Sequence, residues 1–301
     1  FKSTGQRNGD SVITGSLLVS GSTIADTIVL QTSKLNGGGE TQITELSSYG
    51  AGTIGASVVN GAIIASGDSS IANAAAYNGF VAGTDSSNLN GGNNSAIVGG
   101  FSNTLNGDKG FVGGGESNNI GGGSSYTAMG ATNSTIAQGG NTKTIIGGNN
   151  NTINTFGTSL AIIGSGNSNI DTGNNIYGST IVGGSEHKIS INSDNSGIYS
   201  GYQNKIFGGQ AFGANMGQNN VIVGGLRNQI SGSGTGNTNI FNSAILGGSD
   251  NRIPRDSTYS GILISSGSAI TSTHTGSVII GGKALTTTKS DEVVVPNLTI
   301  S

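Results

Sequence analysis

Ala96-Ile97-Val98-Gly99-Gly100-Phe101-Ser102-Asn103-Thr104-Leu105 is the stretch that decides the fold, because close copies of it recur along the chain. The clearest copy is Thr144-Ile145-Ile146-Gly147-Gly148-Asn149-Asn150-Asn151-Thr152-Ile153. Further copies begin at Ala161, Thr180, Val221 and Ala244, and weaker ones at Ile63, Phe80, Phe111, Ala128, Ile198, Ile262 and Ile279. About thirteen copies of apolar-apolar-Gly-Gly-x-x-Asn-x-Ile, mostly about 15 to 19 residues apart, indicate a repeat architecture.

Each repeat contains two short apolar segments separated by Gly, Ser and Asn. Ile and Val favour strands, and Gly and Asn tolerate the positive φ angles of tight corners. No segment has a sustained 3.6-residue period, and a glycine inside a helix costs about 1 kcal/mol relative to alanine. The predicted fold class is therefore all-β: a parallel β-solenoid in which each repeat forms one coil.

The first strand of each repeat carries two adjacent aliphatic residues. Because neighbouring side chains of a strand point to opposite faces, one member of each pair fills the coil and the other needs cover outside it. An uncovered ladder of this length would be a large exposed apolar patch, so we expect copies of the chain to associate through this face. A broad monomeric coil enclosing both members is the alternative, but about 17 residues per coil is too few for it. The predicted core and interchain positions are Ile97, Val98, Ile145, Ile146, Ile162, Ile163, Ile181, Val182, Ile222, Val223, Ile245 and Leu246.

Composition excludes several other classes of protein. The chain has 301 residues, 56 of them Gly, with no Cys or Trp and only 9% charged residues, unlike an ordinary globular enzyme. Two prolines and no Gly-x-y period exclude collagen. A net charge of −3 without a basic patch argues against nucleic-acid binding, and no apolar run is long enough for membrane insertion.

The repeats predict three regions. Residues 1–45, with strand-like Val12–Gly21, form an N-terminal cap or connector, 46–285 form the glycine-rich roll, and 286–301 form closing strands that protect the open end of the ladder. A start at Phe1 without a signal peptide suggests a processed piece of a longer chain.

The frame Ser95-Ala96-Ile97-Val98-Gly99 resembles the head repeats of YadA-like trimeric autotransporter adhesins, and the same roll occurs in phage tail fibres. The flanks around Val12–Gly21 and Ser290–Ser301 resemble the phage proteins more closely. This resemblance covers roughly residues 60–285 and both flanks. It implies a left-handed parallel β-roll in an intertwined or side-by-side homotrimer. The longer, less regular spacing and the frequent Gly-Gly depart from the adhesin repeat.

The resemblance implies a structural, receptor-binding fibre protein of a phage or phage-tail-like particle that attaches to a host cell surface. Its expected partners are other copies of itself, a host surface glycan or protein receptor, and other fibre or baseplate proteins. The expected location is the surface of the virion or extracellular particle, or else the bacterial cell surface. A bacterial trimeric surface adhesin head and a polysaccharide-cleaving tailspike are the alternatives.

Candidate catalytic groups are sparse, and we expect no enzyme and no cofactor. His187 and His274 are the only histidines, and His187 occupies the repeat position of Asn103, so we expect it at the surface. Asp250 with Asp256, or Asp68 with Asp85, could supply a glycosidase pair, but the acids are scattered. The glycine runs lack the helix of a phosphate loop, and no Asp recurs in register for a metal coil.

Two further patterns concern the repeat surface. Asn103, Asn151, Asn204, Asn228 and Asn251 share one repeat position, which predicts a stacked and hydrogen-bonded structural ladder. Aromatic residues of the second half, many of them near the longer insertions, are candidates for surface binding, because rings on loops stack on sugars. Packing beneath their own loops is an equally good interpretation. These candidates are Tyr177, Tyr199, Tyr202, Phe207, Phe212, Phe241 and Tyr259.

Overall fold

A computed structural model describes most of the chain from residue 79 onward and a few short strands before it. The described residues are 47–48, 53–54, 63–65, 71–72, 79–90, 93–121, 124–137, 139–154, 156–171, 176–190, 193–208, 217–231 and 240–297. All of them belong to the compact unit Gln42–Ser301. The other unit, Phe1–Thr41, lies outside the described residues, as does the predicted N-terminal module 1–45.

The described residues form short strands and no helix. In chain order the strands are Ser47–Ser48 (β1), Thr53–Ile54 (β2), Ile63–Ala65 (β3), Ile71–Ala72 (β4), Phe80–Asp85 (β5), Asn88–Leu89 (β6), Ala96–Phe101 (β7), Thr104–Leu105 (β8), Phe111–Val112 (β9), Gly115–Glu116 (β10), Asn119–Ile120 (β11), Ser124–Met129 (β12), Ala131–Thr132 (β13), Thr135–Ala137 (β14), Asn141–Ile146 (β15), Thr152–Asn154 (β16), Leu160–Ile163 (β17), Asn169–Asp171 (β18), Thr180–Val182 (β19), Lys188–Ser190 (β20), Gly197–Tyr199 (β21), Lys205–Phe207 (β22), Gly217–Gln218 (β23), Val221–Val223 (β24), Gln229–Ser231 (β25), Ile240–Phe241 (β26), Ala244–Leu246 (β27), Arg252–Ile253 (β28), Gly261–Leu263 (β29), Val278–Ile280 (β30) and Val293–Val294 (β31).

The chain is a parallel β-solenoid of about 11 turns, as the repeat predicts. Sheet A has 17 strands, and its long ladder runs through β15, β17, β19, β21, β24, β27, β29 and β30. Sheet B has 12 strands, from β2 to β28. Every repeat copy found in the sequence has its first strand in sheet A.

A third, short side joins the two sheets. It consists of single bridges between neighbouring coils, such as Ser185 with Tyr202 and Tyr202 with Leu226. A corner of positive-φ residues, including Asn150, Glu186 and Arg227, follows it and leads into sheet B. Each coil therefore has two main sides, one short side and one connection of variable length, and the variable connection absorbs the irregular repeat spacing.

The core is a double column of aliphatic side chains between sheets A and B. From sheet A come Ile97, Ile145, Ile162, Ile181, Ile222 and Ile245, each with no exposed surface. Sheet B supplies one residue per coil, such as Leu105, Ile153 and Ile230, which are also fully buried. These residues pair directly with their equivalents on the next coil, so the core continues along the solenoid axis.

A polar ladder runs beside this core at the Asn position of the repeat. In each coil a side-chain acceptor binds the main-chain N–H of the equivalent residue one coil further on, at 2.9 to 3.2 Å. The sequence prediction of a stacked ladder is confirmed. In these bonds the main-chain N–H donates and the side chain accepts, and all members are buried. They are Ser87, Asn103, Asn118, Ser134, Asn151, Ser168, His187, Asn204, Asn228, Asn251 and Ser268.

His187 is therefore not a surface residue, and that expectation from the sequence is wrong. Only 1% of the residue is exposed. Its Nδ1 accepts the N–H of Asn204 at 3.2 Å, as the Oδ1 of an asparagine does elsewhere in the ladder. The main-chain N–H groups that point into the coil need hydrogen-bond acceptors, and the side chains at this repeat position supply them. The repeat position is therefore internal.

The C-terminal end continues the same ladder over the residues that the structure describes. Val293 and Val294 of β31 pair in parallel with Val278 and Ile279 of β30. The predicted closing region 286–301 thus begins as another rung of sheet A, and residues 298–301 lie outside the described part.

Candidate interaction surfaces

The outer face of sheet A carries an unbroken apolar column. Its members are the second residues of the aliphatic pairs, and each pairs in register with the next coil. Ile146, Ile163 and Val223, for example, are 39%, 37% and 44% exposed. The prediction that one member of each pair faces inward and the other outward is confirmed. The column comprises Met129, Ile146, Ile163, Val182, Tyr199, Val223, Leu246, Leu263 and Ile280.

The neighbouring column on this face is also uncharged. It consists of the residues that precede the buried aliphatic of each strand, namely Thr127, Thr144, Ala161, Thr180, Gly197, Val221, Ala244, Gly261 and Val278. We call the two columns together the apolar face. The face has nine rungs about 4.8 Å apart, which give a strip about 38 Å long. Uncharged strips of such length mark interaction sites on soluble proteins.

Sheet B presents a different outer face. From β6 onward, the residue that precedes each buried aliphatic of this sheet is polar or charged, as in Thr152, Asn169, Lys188, Lys205 and Arg252. Lys205 and Arg252 are exposed. Sheet B is therefore suited to water, and the asymmetry between the sheets gives the solenoid one apolar side.

The aromatic candidates do not form one cluster. Tyr199 belongs to the apolar face, where its ring lies over Gly197 at the place that a Cβ would occupy. Tyr202, 41% exposed, lies on the short side, and Phe207 is half-buried at the end of β22. Three further rings, those of Tyr177, Phe241 and Tyr259, lie at the corner before sheet A. Phe212 lies outside the described residues.

Tyr202 is held in a polar cluster on the exposed corner. Its hydroxyl donates to Glu186 Oε1 at 2.8 Å, and the Gln203 amide donates to Glu186 Oε2 at 2.6 Å. The pKa of the Glu186 carboxyl is lowered, most of all by the hydrogen bond from Gln203 and next by the one from Tyr202. The cluster fixes one aromatic ring beside a carboxylate and an amide, which are groups that stack on and hydrogen-bond to sugars.

An ion pair extends this corner by two coils. Arg227 donates to both carboxylate oxygens of Asp250, at 2.7 and 2.9 Å, and both side chains are about half exposed. The guanidinium hydrogen bonds lower the pKa of Asp250. Asp250 is thus an ion-pair partner, and Asp68 and the Asp85 side chain lie outside the described part.

The two histidines have different hydrogen-bond partners among the described residues. His187 is enclosed in the polar ladder, and His274 Nδ1 lies 2.9 Å from the hydroxyl of Thr287. Within the described part, no group of three or more His, Cys, Asp or Glu residues is arranged to hold a metal ion.

One buried cation, Lys143, is not predicted by the repeat pattern. Lys143 is fully buried, and its Nζ donates to the carbonyls of Gly139 and Ala137 at 2.7 and 3.3 Å. Its ammonium also lies 5.8 Å from the centroid of the Tyr126 ring, and burial lowers the pKa of Lys143 to about 8. This contact links the six-residue strands β12 and β15, and it is internal rather than a binding surface.

No helix in the described part of the chain is both long and apolar enough to cross a membrane. Comparison with models of known protein families finds no match, and comparison with curated proteins finds none either.

Proposed function

We propose that copies of this chain associate side by side through the apolar face as a homotrimeric fibre segment, and that the fibre attaches a particle to a host cell surface. The observation that supports this most directly is the uncharged, mostly aliphatic column from Met129 to Ile280, which no described part of the chain covers. Association would remove this extended strip of apolar surface from water, which is favourable in free energy.

A further copy of the chain is the best occupant of this face. A partner that covers the nine rungs of this face, about 4.8 Å apart, needs the same axial rise, and another copy of this solenoid has it. In a symmetric assembly of parallel chains, equivalent residues also lie at equal height, so that charges would face like charges. None of the residues in the two columns of the apolar face is charged.

The attachment role rests on the resemblance of the repeat to fibre and adhesin heads and on the shape of the assembly. A stack of identical coils is long and rigid, and oligomerisation presents each exposed loop and ring several times. Tyr202 with Glu186 and Gln203 would then recur on each chain as a preorganised contact for a surface glycan. Linked weak sites raise overall avidity by about 10² to 10⁴.

Ile163→Glu is expected to convert the oligomer to a folded monomer. Ile163 lies within the column between Ile146 and Val182, so the variant would place several carboxylates at one height in an apolar interface. An uncompensated buried charge costs about 3 to 5 kcal/mol, which corresponds to at least a hundredfold weaker association. Sedimentation velocity at micromolar concentration measures it.

Asn169→Glu is the matched control, because Asn169 lies on the same coil but on the outer face of sheet B. It adds the same charge, and it is expected to leave both the circular dichroism spectrum and the oligomeric state unchanged. A wild-type protein that sediments as a folded monomer at this concentration would contradict the association.

Attachment is tested with the labelled wild-type chain on a panel of bacterial cells and their isolated surface polysaccharides. We expect retention on a subset of the strains, and much weaker retention of Ile163→Glu because it loses avidity. Absence of binding to every strain of the panel would argue against the attachment role. Shortened polysaccharide chains would instead support the alternative of a cleaving tailspike.

A further inference from the structure

A column of glycines borders the apolar face. Its members follow the outward aliphatic residue of each strand and have φ between 49° and 70°. From Gly147 onward, each main-chain N–H in the column donates to the carbonyl of the preceding coil's outward residue, as Gly247 does to Val223 and Gly281 to Leu263. From Gly130 to Gly281 the column comprises Gly130, Gly147, Gly164, Gly183, Ser200, Gly224, Gly247, Ile264 and Gly281.

Ile264 is the one apolar side chain in this column. Its φ of 49° lies in the left-handed region, which β-branched residues adopt only rarely because the branch crowds the main chain. It is also 79% exposed, more than any other large hydrophobic side chain among the described residues. One residue thus combines an unfavourable backbone conformation with an unfavourable exposure to water.

None of the residues that the structure describes compensates for either. A Cβ built at the equivalent Gly247 or Gly281 would have no neighbour within 4 Å, so side chains at this corner point into open space. Glycine occurs at seven of the nine positions of the column, counted from Gly130 to Gly281, so the fold does not need a side chain here. Strain that the local structure does not require is characteristic of functional positions.

The apolar face also leaves one property of the assembly unspecified. Between Ile146 and Ile280 its outward column is aliphatic on every rung except that of Tyr199. Sliding one copy by one rung, about 4.8 Å, mostly exchanges one aliphatic contact for another. Repetitive faces of this kind define their register weakly unless one position differs from the rest.

We propose that Ile264 is an interchain contact that sets the axial register between copies of the chain. It directly follows Leu263 of the apolar face and stands at the edge of that face. The equivalent positions one rung before and one rung after it are Gly247 and Gly281, which have no side chain. In a copy that is in register, these two glycines leave space on either side of that copy's own Ile264. If one copy slipped by one rung, its Ile264 would lie at the height of Gly247 or Gly281 of the other copy and not at the height of Ile264. The inference rests on the proposed association through the apolar face.

The test compares Ile264→Gly with Ser200→Gly. Both variants return a positive-φ residue of the column to glycine, and both are expected to raise the melting temperature of the dissociated chain by a few degrees. Only Ile264→Gly removes an apolar contact. We expect it to weaken association about tenfold, and Ser200→Gly to leave association unchanged.

Register is measured by cross-linking, which the absence of native cysteine makes simple. Chains carrying Ile163→Cys are co-assembled with tagged chains carrying Val182→Cys, one rung away, and oxidised, because a disulfide forms only between Cβ atoms about 3.5 to 4.5 Å apart. With Ile264 present we expect links between like cysteines. With Ile264→Gly we expect links between unlike cysteines to become comparably abundant.

The outcomes separate the two proposals. If chains with Ile264 sediment as monomers and give no interchain links, association through the apolar face fails, and the register role fails with it. If they associate but Ile264→Gly leaves the affinity and the pattern of links unchanged, only the register role is overturned.

Discussion

Gly248→Ala is expected to destabilise the solenoid by more than about 4 kcal/mol, whereas Gly247→Ala costs only about 1 kcal/mol. The two glycines are adjacent and have similar φ angles, 78° and 70°. A Cβ at Gly247 would meet nothing within 4 Å. A Cβ at Gly248 would overlap the carbonyl oxygen of Ser265 on the next coil and approach Asn251 Nδ2 to 2.7 Å.

The larger cost arises because neither neighbour can move independently. Asn251 Nδ2 donates to Ser265 O at 2.6 Å, and Asn251 Oδ1 accepts the N–H of Ser268, so the added methyl group would separate two coils and open the polar ladder. A buried donor or acceptor left without a partner costs about 1 to 3 kcal/mol.

Urea unfolding followed by circular dichroism measures both variants, best in the Ile163→Glu background so that association does not contribute. Repeat arrays can unfold in parts, and hydrogen exchange of sheet A on either side of Gly248 would reveal such local opening. Equal destabilisation by the two alanines would contradict the distinct roles of the glycines.

The fold could be predicted from the sequence because its determinants recur. Ile97 and Val98, with their equivalents in each repeat, define a strand with two apolar faces, and the Asn and Gly positions locate the corners. The structure adds which member of each pair is internal. That choice depends on the direction in which the chain turns after each strand, which residue types alone do not specify.

The glycine pair illustrates what the repeat pattern could not distinguish. Gly247 is required for its backbone conformation, and Gly248 for its conformation and for the approach of the next coil. Both are simply Gly in the consensus. The difference arises from distances between coils, which depend on the stacking of residues 17 or more positions apart.

A second polar ladder was hidden by composition. Ser179, Ser196 and Asn220 begin a series in which each side chain accepts the N–H of the next coil just before sheet A. The series continues through Ser243, Ser260 and Ser277 to the N–H of Glu292. Serine is so frequent in this chain that its recurrence at this position carries little signal, whereas the rarer Asn ladder was apparent.

The binding candidates show the limit of reasoning from residue type. Aromatic rings were grouped by their nearness in sequence, but a solenoid distributes consecutive residues over different sides of one coil. Tyr199 and Tyr202 are three residues apart, yet one lies on the apolar face and the other on the short side. The Glu186 contact of Tyr202 spans two coils and therefore depends on the register of stacking.

His187 determines the second large effect, a loss of stability in mild acid. Burial lowers the pKa of His187 to about 4 from an ordinary value of 6.5. Its Nδ1 accepts the main-chain N–H of Asn204, and a protonated Nδ1 could not do so. Its Nε2 is buried without a hydrogen-bond partner among the described residues, so an added charge would find no compensation there.

The sign follows from proton binding. Between pH 6.5 and about 4 the unfolded chain protonates this imidazole and the folded chain does not, so stability falls as the pH falls. The stabilisation is complete above pH 6.5, and about 2 to 3 kcal/mol should be lost between pH 7.5 and pH 4.5. Burial raises the pKa of Asp194, which acts in the opposite direction over part of this range.

His187→Asn isolates the histidine contribution, because asparagine is the residue of most equivalent coils and Asp194 is unchanged. Urea unfolding of both proteins, again in the Ile163→Glu background, should give similar stabilities at pH 7.5. At pH 4.5 the asparagine variant should be more stable by about 2 to 3 kcal/mol. Parallel pH profiles for the two proteins would mean that His187 is protonated in the folded chain, and that the ladder tolerates a charge at its centre.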